Sequence, residues 1–353
     1  MIMAGGTGGH IYPALAVAEL LQKKGCEVFW MGTPNGMEST IIPKCGIAMH
    51  CVSISGLRGK GITSLAMAPI KLVIALSQAG LIILKKKPDV VLGMGGFVTG
   101  PGGLMSWFLR KPLVIHEQNA IAGMTNRLLS KIANRVLEAF PRSFGKNVSC
   151  QLTGNPIRGN VLNVSEPGIR LKSHSGNLRI LVIGGSLGAV AINQVLPKAL
   201  KRIDEAVRPE VWHQVGKKNI EQAEHDYGEL AVSAKVVPFI ENMGEAYEWA
   251  DIVLCRAGAL TIAEIMSVGI ASILVPYPYA VDDHQSKNAS FLLEKKAAIL
   301  LPQDQLDEVK LADNFMYFEN NRQELLEMAE SAKSCGIKNS AEQVADICMG
   351  VLQ

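Results

Sequence analysis

The sequence predicts an α/β fold made of two doubly wound, parallel-sheet domains that face a cleft. The first observation is length, because 353 residues at about 150 per domain give roughly two domains. The second is that the apolar strands are short and do not alternate with polar residues, which is typical of parallel sheets covered on both faces. The third is an internal duplication, in which strand, glycine turn and helix recur in the same order in each half.

Each half opens with an apolar strand that runs into a cluster of glycines, at residues 1–9 and 179–188. A second strand and turn follow at 88–96 and 250–258, and a third strand at 113–116 and 272–276. In open sheets of this kind the ligand lies outside the carboxyl ends of the strands, so the site is predicted at that edge. Helices are predicted directly after the turns, at Pro13–Lys24, Val190–Arg202 and Leu260–Val268.

The domain boundary is predicted near Asn155–Gly159, where proline and glycine interrupt the pattern. This division gives an N-terminal domain of residues 1–157 and a C-terminal domain of residues 158–340. A last helix, predicted at about residues 341–353, can pack on either domain, including back on the first.

Composition excludes several classes of protein. With 48% hydrophobic and 19% charged residues the chain has ample material for buried cores, so disorder is excluded. The seven cysteines are scattered, without a CxxC pair or a zinc-ligand spacing, which indicates a reducing compartment. No secretory signal precedes the first glycine loop.

The net charge of +3 conceals an asymmetry between the halves. Residues 1–159 hold 17 Lys and Arg against 6 Asp and Glu, a balance of +11, whereas residues 160–353 hold 18 against 26, a balance of −8. A basic half indicates an anionic partner surface. Nucleic acid is disfavoured, because the basic half has no arginine-rich stretch, zinc-finger spacing or RNP-like strand.

A hydrophobic stretch, Ile62–Leu84, favours anionic lipid as that partner. Pro69 and Lys71 interrupt it and leave thirteen uncharged residues, Leu72–Leu84, whereas a transmembrane helix needs about 20. Lys85, Lys86 and Lys87 follow directly, and residues 107–111 again place aromatic side chains beside cations. The expectation is an interfacial helix that holds the protein on a membrane surface; the alternative is a core helix whose basic end complements its own dipole.

Three glycine clusters, at residues 5–9, 93–103 and 184–188, predict phosphate binding. Glycine turns between strand and helix let backbone N–H groups approach an anion. No GxxxxGK[ST] string is present, so the site is not a P-loop. A dinucleotide fingerprint also fails, because its third glycine would fall at Ile11 and no acidic residue ends the second strand, Glu27–Met31.

Three polar residues are candidates for chemistry. His10 directly follows the first glycine cluster, and a histidine there is either a general base or a helix-start side chain bonded to backbone. Glu264 lies on the helix after Gly258 and is either a ligand of ribose hydroxyls or a solvated helix charge. Gln285 lies in a polar loop and is ambiguous by itself.

Six sequence strings resemble the MurG family, cell-wall N-acetylglucosaminyltransferases of the glycosyltransferase B superfamily. They cover the chain in order from residue 1 to about residue 290, and jointly they are specific to that family. The strings are Gly5–His10 with Pro13-Ala14, Gly93–Gly103, His116–Asn119, Thr153–Arg158, Gly184–Ser186 and Cys255–Thr261.

The resemblance implies two Rossmann-like domains of GT-B type and transfer of GlcNAc from UDP-GlcNAc to undecaprenyl-diphospho-MurNAc-pentapeptide (lipid I). The product is lipid II, made for peptidoglycan at the cytoplasmic face of the bacterial inner membrane by a peripheral enzyme. His10 matches the family's proposed base. The glycines that match its acceptor-diphosphate loops are Gly95, Gly96, Gly102 and Gly103.

The resemblance also implies a set of donor-binding residues. Ser186 would contact phosphate, Ile240 would contact uracil through its backbone, and Glu264 would contact ribose. The family often has Gln where this chain has Leu187. No cofactor and no metal are implied, although Asp282-Asp283 lies near the predicted donor site. The remaining donor residues are Thr7, Gly8, Gly9, Asn119, Arg158, Ala259, Leu260, Thr261, Ile262, Ala263 and Gln285.

Two other functions stay open at the level of sequence. A UDP-GlcNAc 2-epimerase has a similar fold and needs no lipid-binding surface. A non-enzymatic membrane scaffold would use Ile62–Leu84 only for attachment.

Overall fold

The computed structural model describes residues 1–56, 67–185 and 188–351. The chain divides into two compact units. Unit 1 comprises Met1–Arg158 together with Lys338–Gln353, and unit 2 comprises Gly159–Ile337. The C-terminal segment therefore belongs to the same unit as the N-terminus.

Unit 1 is built on a seven-stranded, entirely parallel sheet in the order β3-β2-β1-β4-β5-β6-β7. The central pair is β1 and β4, where Ile2 lies opposite Leu92. The strands are β1 (Ile2–Met3), β2 (Phe29–Gly32), β3 (Ala48–Cys51), β4 (Val91–Gly93), β5 (Leu113–Glu117), β6 (Arg135–Glu138) and β7 (Gln151–Leu152).

Both faces of this sheet are covered by helices, which explains why its strands are continuously apolar. The helices are α1 (Gly8–Lys23), α2 (Glu38–Lys44), α3 (Ala68–Lys86), α4 (Thr99–Phe108), α5 (Met124–Leu129) and α15 (Ser340–Gly350). On one face of the sheet, Ile2, Trp30 and Leu92 pack against α1 and α15. On the other face, Met3 and Val91 pack against α3 and α5.

Unit 2 repeats this topology with a six-stranded parallel sheet in the order β10-β9-β8-β11-β12-β13. Its strands are β8 (Arg179–Ile183), β9 (Glu210–Gln214), β10 (Lys235–Val237), β11 (Ile252–Cys255), β12 (Ala271–Leu274) and β13 (Ile299–Leu300). Its helices are α6 (Gly159–Leu162), α7 (Pro167–Lys172), α8 (Val190–Lys201), α9 (Ile220–Glu229), α10 (Met243–Trp249), α11 (Ala259–Val268), α12 (His284–Leu293), α13 (Glu308–Asn320) and α14 (Arg322–Ser334).

The predicted fold class, two doubly wound parallel-sheet α/β domains, is confirmed. One boundary differs in an instructive way, because α1 begins at Gly8 rather than at Pro13. The prediction counted the glycines as a turn that precedes the helix. Instead the carbonyl of Thr7 accepts from the N–H groups of His10 and Ile11, so the glycines themselves form the first turn.

The hydrophobic segment forms α3, which by length and composition alone is long enough to cross a membrane. One face of α3 packs on the sheet through Ala75, Ala79 and Ile83, while Val73 and Leu81 are 62% and 66% exposed. The start of the predicted stretch, from Ile62 to Ala66, lies outside the described residues.

Candidate active site

The glycine loops after β1 and β4 meet at the centre of the sheet of unit 1. Beyond these loops the chain continues from β1 to β2 on one side and from β4 to β5 on the other. The connections therefore run in opposite directions, which is the arrangement that leaves a crevice at this edge of a sheet. Gly96 has a φ of +85°, and a Cβ there would lie 2.3 Å from the carbonyl oxygen of Gly5. Only glycine permits this approach of the two loops.

A buried carboxylate that the sequence did not reveal holds the first loop in place. Glu38, at the start of α2, accepts hydrogen bonds from the Gly6 N–H at 3.1 Å, the Thr33 N–H at 2.9 Å and the Thr33 hydroxyl at 2.6 Å. Nothing in the local sequence distinguishes Glu38 from an exposed helix carboxylate. Its hydrogen-bond partner Gly6 is 32 residues away in sequence, so this contact is known only from the fold.

The first loop ends at the N-terminus of α1, where Thr7 is the N-cap residue. The hydrogen bonds of the helix begin with the His10 N–H, which donates to Thr7, so the N–H groups of Gly8 and Gly9 are donors at this edge of the sheet. Thr7 is exposed, and Gly8, Gly9 and His10 are half-buried. The arrangement can bind an anionic oxygen.

The Nδ1 atom of His10 is hydrogen-bonded to a side chain and not to the backbone. That atom lies 3.0 Å from Oε1 of Gln118, which follows β5. Gly95 lies against the same edge of the imidazole, because a Cβ on Gly95 would be 2.5 Å from Nδ1 and 2.7 Å from Cε1. The second glycine loop therefore makes room for the ring of His10.

Behind Gln118 lies a second histidine, His116, which is fully buried. Gln118 Nε2 is 3.2 Å from His116 Nδ1, and His116 Nε2 is 2.9 Å from the carbonyl oxygen of Gly154. Burial lowers the pKa of His116 to about 4, against smaller opposing effects of the Gly154 carbonyl and the Glu117 carboxylate. His116 is therefore neutral in the folded protein at neutral pH.

Glu117 organises the loop that carries Asn119. One carboxylate oxygen accepts from the Asn119 N–H at 3.0 Å and from its side-chain amide at 3.1 Å. The other accepts from the Gly123 N–H and from Asn126 Nδ2 at 2.8 Å. Asn119 is half-buried and is held at the carboxyl end of β5.

Three other predicted residues of unit 1 lie in two different settings. Arg158 stacks on the ring of Tyr12, with its guanidinium carbon 4.8 Å from the ring centroid, which orients it beside α1. Gly102 and Gly103, in contrast, do not lie in a loop. Both are buried within α4, where added Cβ atoms would meet Met3 at 2.2 Å and Leu129 at 2.8 Å. The structure therefore places these glycines in a helix and not in a loop, where they allow the helix to pack against the sheet. Their contact with the acceptor diphosphate stays a prediction.

In unit 2 the corresponding switch point lies between β8 and β11. The loop after β8 turns at Gly185 and Gly188, both with positive φ, and Ser186 and Leu187 lie outside the described residues. Gln214 joins this loop to the predicted uracil-binding residue. Its Nε2 donates to the Gly185 carbonyl at 3.0 Å and its Oε1 accepts from the Ile240 N–H at 3.0 Å.

The helix that follows β11 carries Glu264. α11 begins after Gly258, so its first-turn N–H groups, from Ala259 to Thr261, lie at the carboxyl end of the sheet, and the Ile262 N–H donates to the Gly258 carbonyl. Glu264 is only 3% exposed, and its Oε2 accepts from the Tyr247 hydroxyl at 3.0 Å. It is therefore not a solvated helix charge. Leu260 and Thr261 are half-buried, whereas Ala263 is buried.

Gln285 lies in the first turn of α12, and its Oε1 accepts from the Tyr277 N–H at 2.9 Å. The preceding residues Asp282 and Asp283 both have left-handed backbone, with φ of 54° and 50°. Within residues 1–56, 67–185 and 188–351 no group of three or more His, Cys, Asp or Glu side chains could hold a metal ion.

Each of the two parallel sheets has a glycine loop and a helix N-terminus at its switch point, and a histidine lies beside one of these loops. This arrangement is typical of α/β folds that bind an anionic ligand at the switch point. Family models identify the class of enzyme. The N-terminal domain model of glycosyltransferase family 28 matches residues 1–138, and its C-terminal domain model matches residues 179–344. The chain belongs to glycosyltransferase family 28.

Individual relatives match over nearly the whole chain. A Marinobacter nauticus protein is 52% identical over 349 residues, which is 99% of this chain and 96% of the relative. A Nitrosococcus oceani protein is 49% identical, over 99% of this chain and 98% of the relative. Both are named UDP-N-acetylglucosamine–N-acetylmuramyl-(pentapeptide) pyrophosphoryl-undecaprenol N-acetylglucosamine transferase.

Solved structures agree with the fold. The crystal structure of Acinetobacter baumannii MurG has a TM-score of 0.84 and 40% identity, and the match covers 99% of each chain. A UDP-N-acetylglucosamine 2-epimerase from Listeria monocytogenes has a TM-score of 0.67 but only 14% identity, with 98% of this chain and 94% of that chain covered. The likeness to the epimerase shows a shared fold alone.

Proposed function

We propose that this enzyme transfers N-acetylglucosamine from UDP-N-acetylglucosamine to the 4-hydroxyl of MurNAc in undecaprenyl-diphospho-MurNAc-pentapeptide. The anomeric carbon is inverted, and the product is lipid II. The observation that carries this proposal is the 52% identity over 99% of the chain to a relative named for this transfer. The glycine loops and His10 supply groups that such a reaction requires.

The C-terminal unit binds the UDP-sugar in this proposal. The N-terminus of α11 holds the diphosphate, because its first-turn N–H groups are donors and its dipole favours negative charge. Glu264 accepts from the ribose hydroxyls, and the backbone of Ile240 contacts the uracil. Gln285 and Ser186 are the other residues of unit 2 that we propose to contact the UDP-sugar. The donor residues proposed on unit 1 are Thr7, Gly8, Gly9, Asn119 and Arg158.

His10 acts as the general base. Its Nε2 takes the proton of the acceptor hydroxyl while the oxygen attacks C1 of the sugar, and UDP departs with the electron pair of the broken C1–O bond. The proton then passes from His10 to solvent. Charge on the departing diphosphate is compensated by the N–H groups at the helix N-terminus, already in place before reaction. Gly95 and Gly96 contact the acceptor diphosphate.

The membrane proposal depends on an apolar patch on three neighbouring helices of unit 1. Its large side chains are all more than 40% exposed, and Met124 reaches 72%. We define the apolar patch as Ile70, Leu72, Val73, Ile74, Leu81 and Leu84 of α3, Leu104, Trp107 and Phe108 of α4, and Met124 and Leu128 of α5.

Exposed cations border the apolar patch on each of these helices. They are Lys71, Lys85, Lys86 and Lys87 on or after α3, Arg110 after α4, and Arg127 and Lys131 on or after α5; the half-buried Lys111 follows Arg110. An apolar area of this extent, rimmed by cations, fits an anionic bilayer surface. The enzyme is therefore proposed to bind peripherally at the cytoplasmic face of the inner membrane, where a polyprenyl acceptor is met.

One assay tests the reaction. Labelled UDP-GlcNAc is incubated with the enzyme and a short-chain analogue of lipid I, and transfer of label to the analogue is expected. UDP-GlcNAc is also incubated without acceptor. Formation of ManNAc there would instead identify an epimerase, and UDP binding without turnover in either reaction would identify a scaffold.

A further inference from the structure

A chain of three side chains and one carbonyl runs inward from His10. It passes from His10 Nδ1 to Gln118 Oε1 at 3.0 Å, from Gln118 Nε2 to His116 Nδ1 at 3.2 Å, and from His116 Nε2 to the Gly154 carbonyl at 2.9 Å. Gln118 is 1% exposed and His116 is fully buried. Water therefore has little access to these bonds, and each atom must take a defined role as donor or acceptor.

The innermost link fixes the orientation of the Gln118 amide. A carbonyl oxygen only accepts, so the single proton of a neutral His116 lies on Nε2, facing Gly154. His116 Nδ1 is then an acceptor, and it requires the NH₂ group of Gln118. Burial favours this neutral form, and the Gly154 carbonyl and the Glu117 carboxylate oppose it more weakly. Gln118 Nε2 also lies 3.3 Å from the His116 carbonyl, which favours the same orientation.

The outer link then fixes the tautomer of His10. With its NH₂ turned to His116, Gln118 presents its oxygen to His10, and that oxygen can only accept. His10 must therefore carry its proton on Nδ1, which leaves a lone pair on Nε2. Gly95 encloses the same Nδ1 edge of the ring. No hydrogen-bond partner of Nε2 occurs among the described residues.

We propose that Gln118 is a positioning residue, which holds His10 in the Nδ1–H tautomer so that Nε2 takes the acceptor proton, with His116 holding Gln118. This inference rests on the proposed base role of His10. When Nε2 gains its proton, the bond from Nδ1–H to the Gln118 oxygen becomes charge-assisted, so it strengthens as the reaction proceeds. An interaction that strengthens toward the transition state raises turnover more than it affects substrate binding.

The first test reads the tautomer without any activity measurement. The full-length protein is labelled with ¹⁵N-histidine, and long-range ¹H–¹⁵N spectra are recorded, with His10→Ala used to assign His10. The wild type should show a protonated-type Nδ1 and an unprotonated Nε2. Gln118→Met, of similar size but without hydrogen bonds, should give a mixture of tautomers. Gln118→Glu retains an acceptor for His10 and should keep the Nδ1–H form. Unchanged spectra in Gln118→Met would overturn the inference.

The second test is a double-mutant cycle on turnover. We expect Gln118→Met to lower kcat on the order of 10- to 100-fold, below the loss of about 10²–10⁴ for a missing acid–base group, with the KM for UDP-GlcNAc within about twofold. In a His10→Ala background the same change should have no further effect, because Gln118 acts through His10. An equal loss in both backgrounds would mean that Gln118 is merely structural.

The two tests separate failure of this inference from failure of the proposed function. If His10→Ala keeps normal turnover, the base role is wrong, whereas the tautomer spectra still decide what Gln118 does to His10. Circular dichroism shows whether Gln118→Met folds. If it does not, the ¹H–¹⁵N spectra of Gln118→Glu are compared with those of the wild type instead. Loss of the Nδ1–H form in Gln118→Glu would then contradict the inference.

Discussion

At the residue scale, the candidate site consists of exposed backbone donors supported by buried polar side chains. Glu38, Gln118 and Gln214 each join two segments that are distant in sequence. The sequence identified the glycines and His10 because their order along the chain is distinctive. It did not identify these three supports, because the partners of a buried polar group are decided by which loops the fold brings together.

Replacement of His10 by alanine should lower turnover by roughly 10²–10⁴, the usual loss for a missing acid–base group. The fold and the affinity for UDP should change little, since His10 is half-buried in the first turn of α1 and fills no core. Steady-state kinetics with a lipid I analogue and UDP titration measure the two quantities. Near-normal turnover at neutral pH would remove His10 from the base role.

Replacement of Glu264 by alanine should raise the KM for UDP-GlcNAc about 10- to 100-fold, because a charged hydrogen bond contributes roughly 1.5–3 kcal/mol. Tyr247→Phe is the matched control, since it removes the hydroxyl that donates to Glu264 while leaving the carboxylate in place. Its KM should stay within a few-fold of wild type. An equal rise in both variants would indicate that Glu264 only supports packing.

Gly95→Ala should lower turnover roughly 10- to 100-fold, within the range expected when a catalytic group is displaced. The new Cβ would lie 2.5 Å from His10 Nδ1, and φ at this position is +92°. Gly25→Ala is a close control, because Gly25 has a φ of +83° with nothing within 4 Å of the added Cβ.

Both variants should lose similar stability from backbone strain, about 1–2 kcal/mol, which chemical denaturation measures. Only Gly95→Ala should lose activity. Equal activity of the two proteins would show that the contact with His10 has no catalytic importance.

At the element scale, α3 is divided between two environments. One face packs on the sheet through Ala75, Ala79 and Ile83, and the other presents large apolar side chains. A surface helix of a soluble protein would carry polar residues on its outer face, a core helix would be buried all round, and an isolated span would have no packed face. This division favours the interfacial helix over the core helix that the sequence also allowed.

Changing Lys85, Lys86 and Lys87 together to Glu should weaken binding to anionic vesicles roughly 100-fold or more, given about 1 kcal/mol for each cation near the leaflet. The effect should be largest at low salt. Transfer to a water-soluble acceptor analogue should be unaffected. Sedimentation with vesicles of anionic lipid, compared with neutral lipid, measures the binding.

The control replaces Lys198, Lys201 and Arg202 by Glu. These exposed cations also lie at the C-terminal end of a helix, α8, so the cost to the helix dipole is similar. They belong to unit 2 and should leave vesicle binding unchanged. If both triple variants weaken binding equally, the effect is one of net charge and not of the apolar patch.

At the scale of the whole molecule, each unit buries one neutral histidine, and this makes stability depend on pH. Burial lowers the pKa of His213 to about 3, and its ring nitrogens meet Tyr227 and Asn193 instead of water. His116 is the counterpart in unit 1. In the unfolded chain both histidines titrate near pH 6.5.

Stability should therefore fall as the pH drops below about 6.5, because the unfolded chain then binds protons that the folded protein does not. Each buried histidine contributes up to about 1.4 kcal/mol per pH unit, down to its folded pKa. His213→Gln should reduce this slope in denaturation experiments between pH 6.5 and 4.5. His225→Gln, at a side chain that is 70% exposed, should not. If His213→Gln leaves the pH dependence of the unfolding free energy unchanged, buried His213 is not one of its causes.

The sequence by itself determined the parallel α/β class, the duplication, the glycine loops and the candidate base. These follow from local rules, because continuous apolar strands require two covered faces and glycine turns require positive φ or close approach. The tertiary structure decided matters that depend on distant segments. It placed Gly102 and Gly103 inside a helix, buried Glu264 against Tyr247, and brought Gln118 and His116 behind His10. The roles of such residues depend on contacts across the fold, and no local pattern along the chain encodes those contacts.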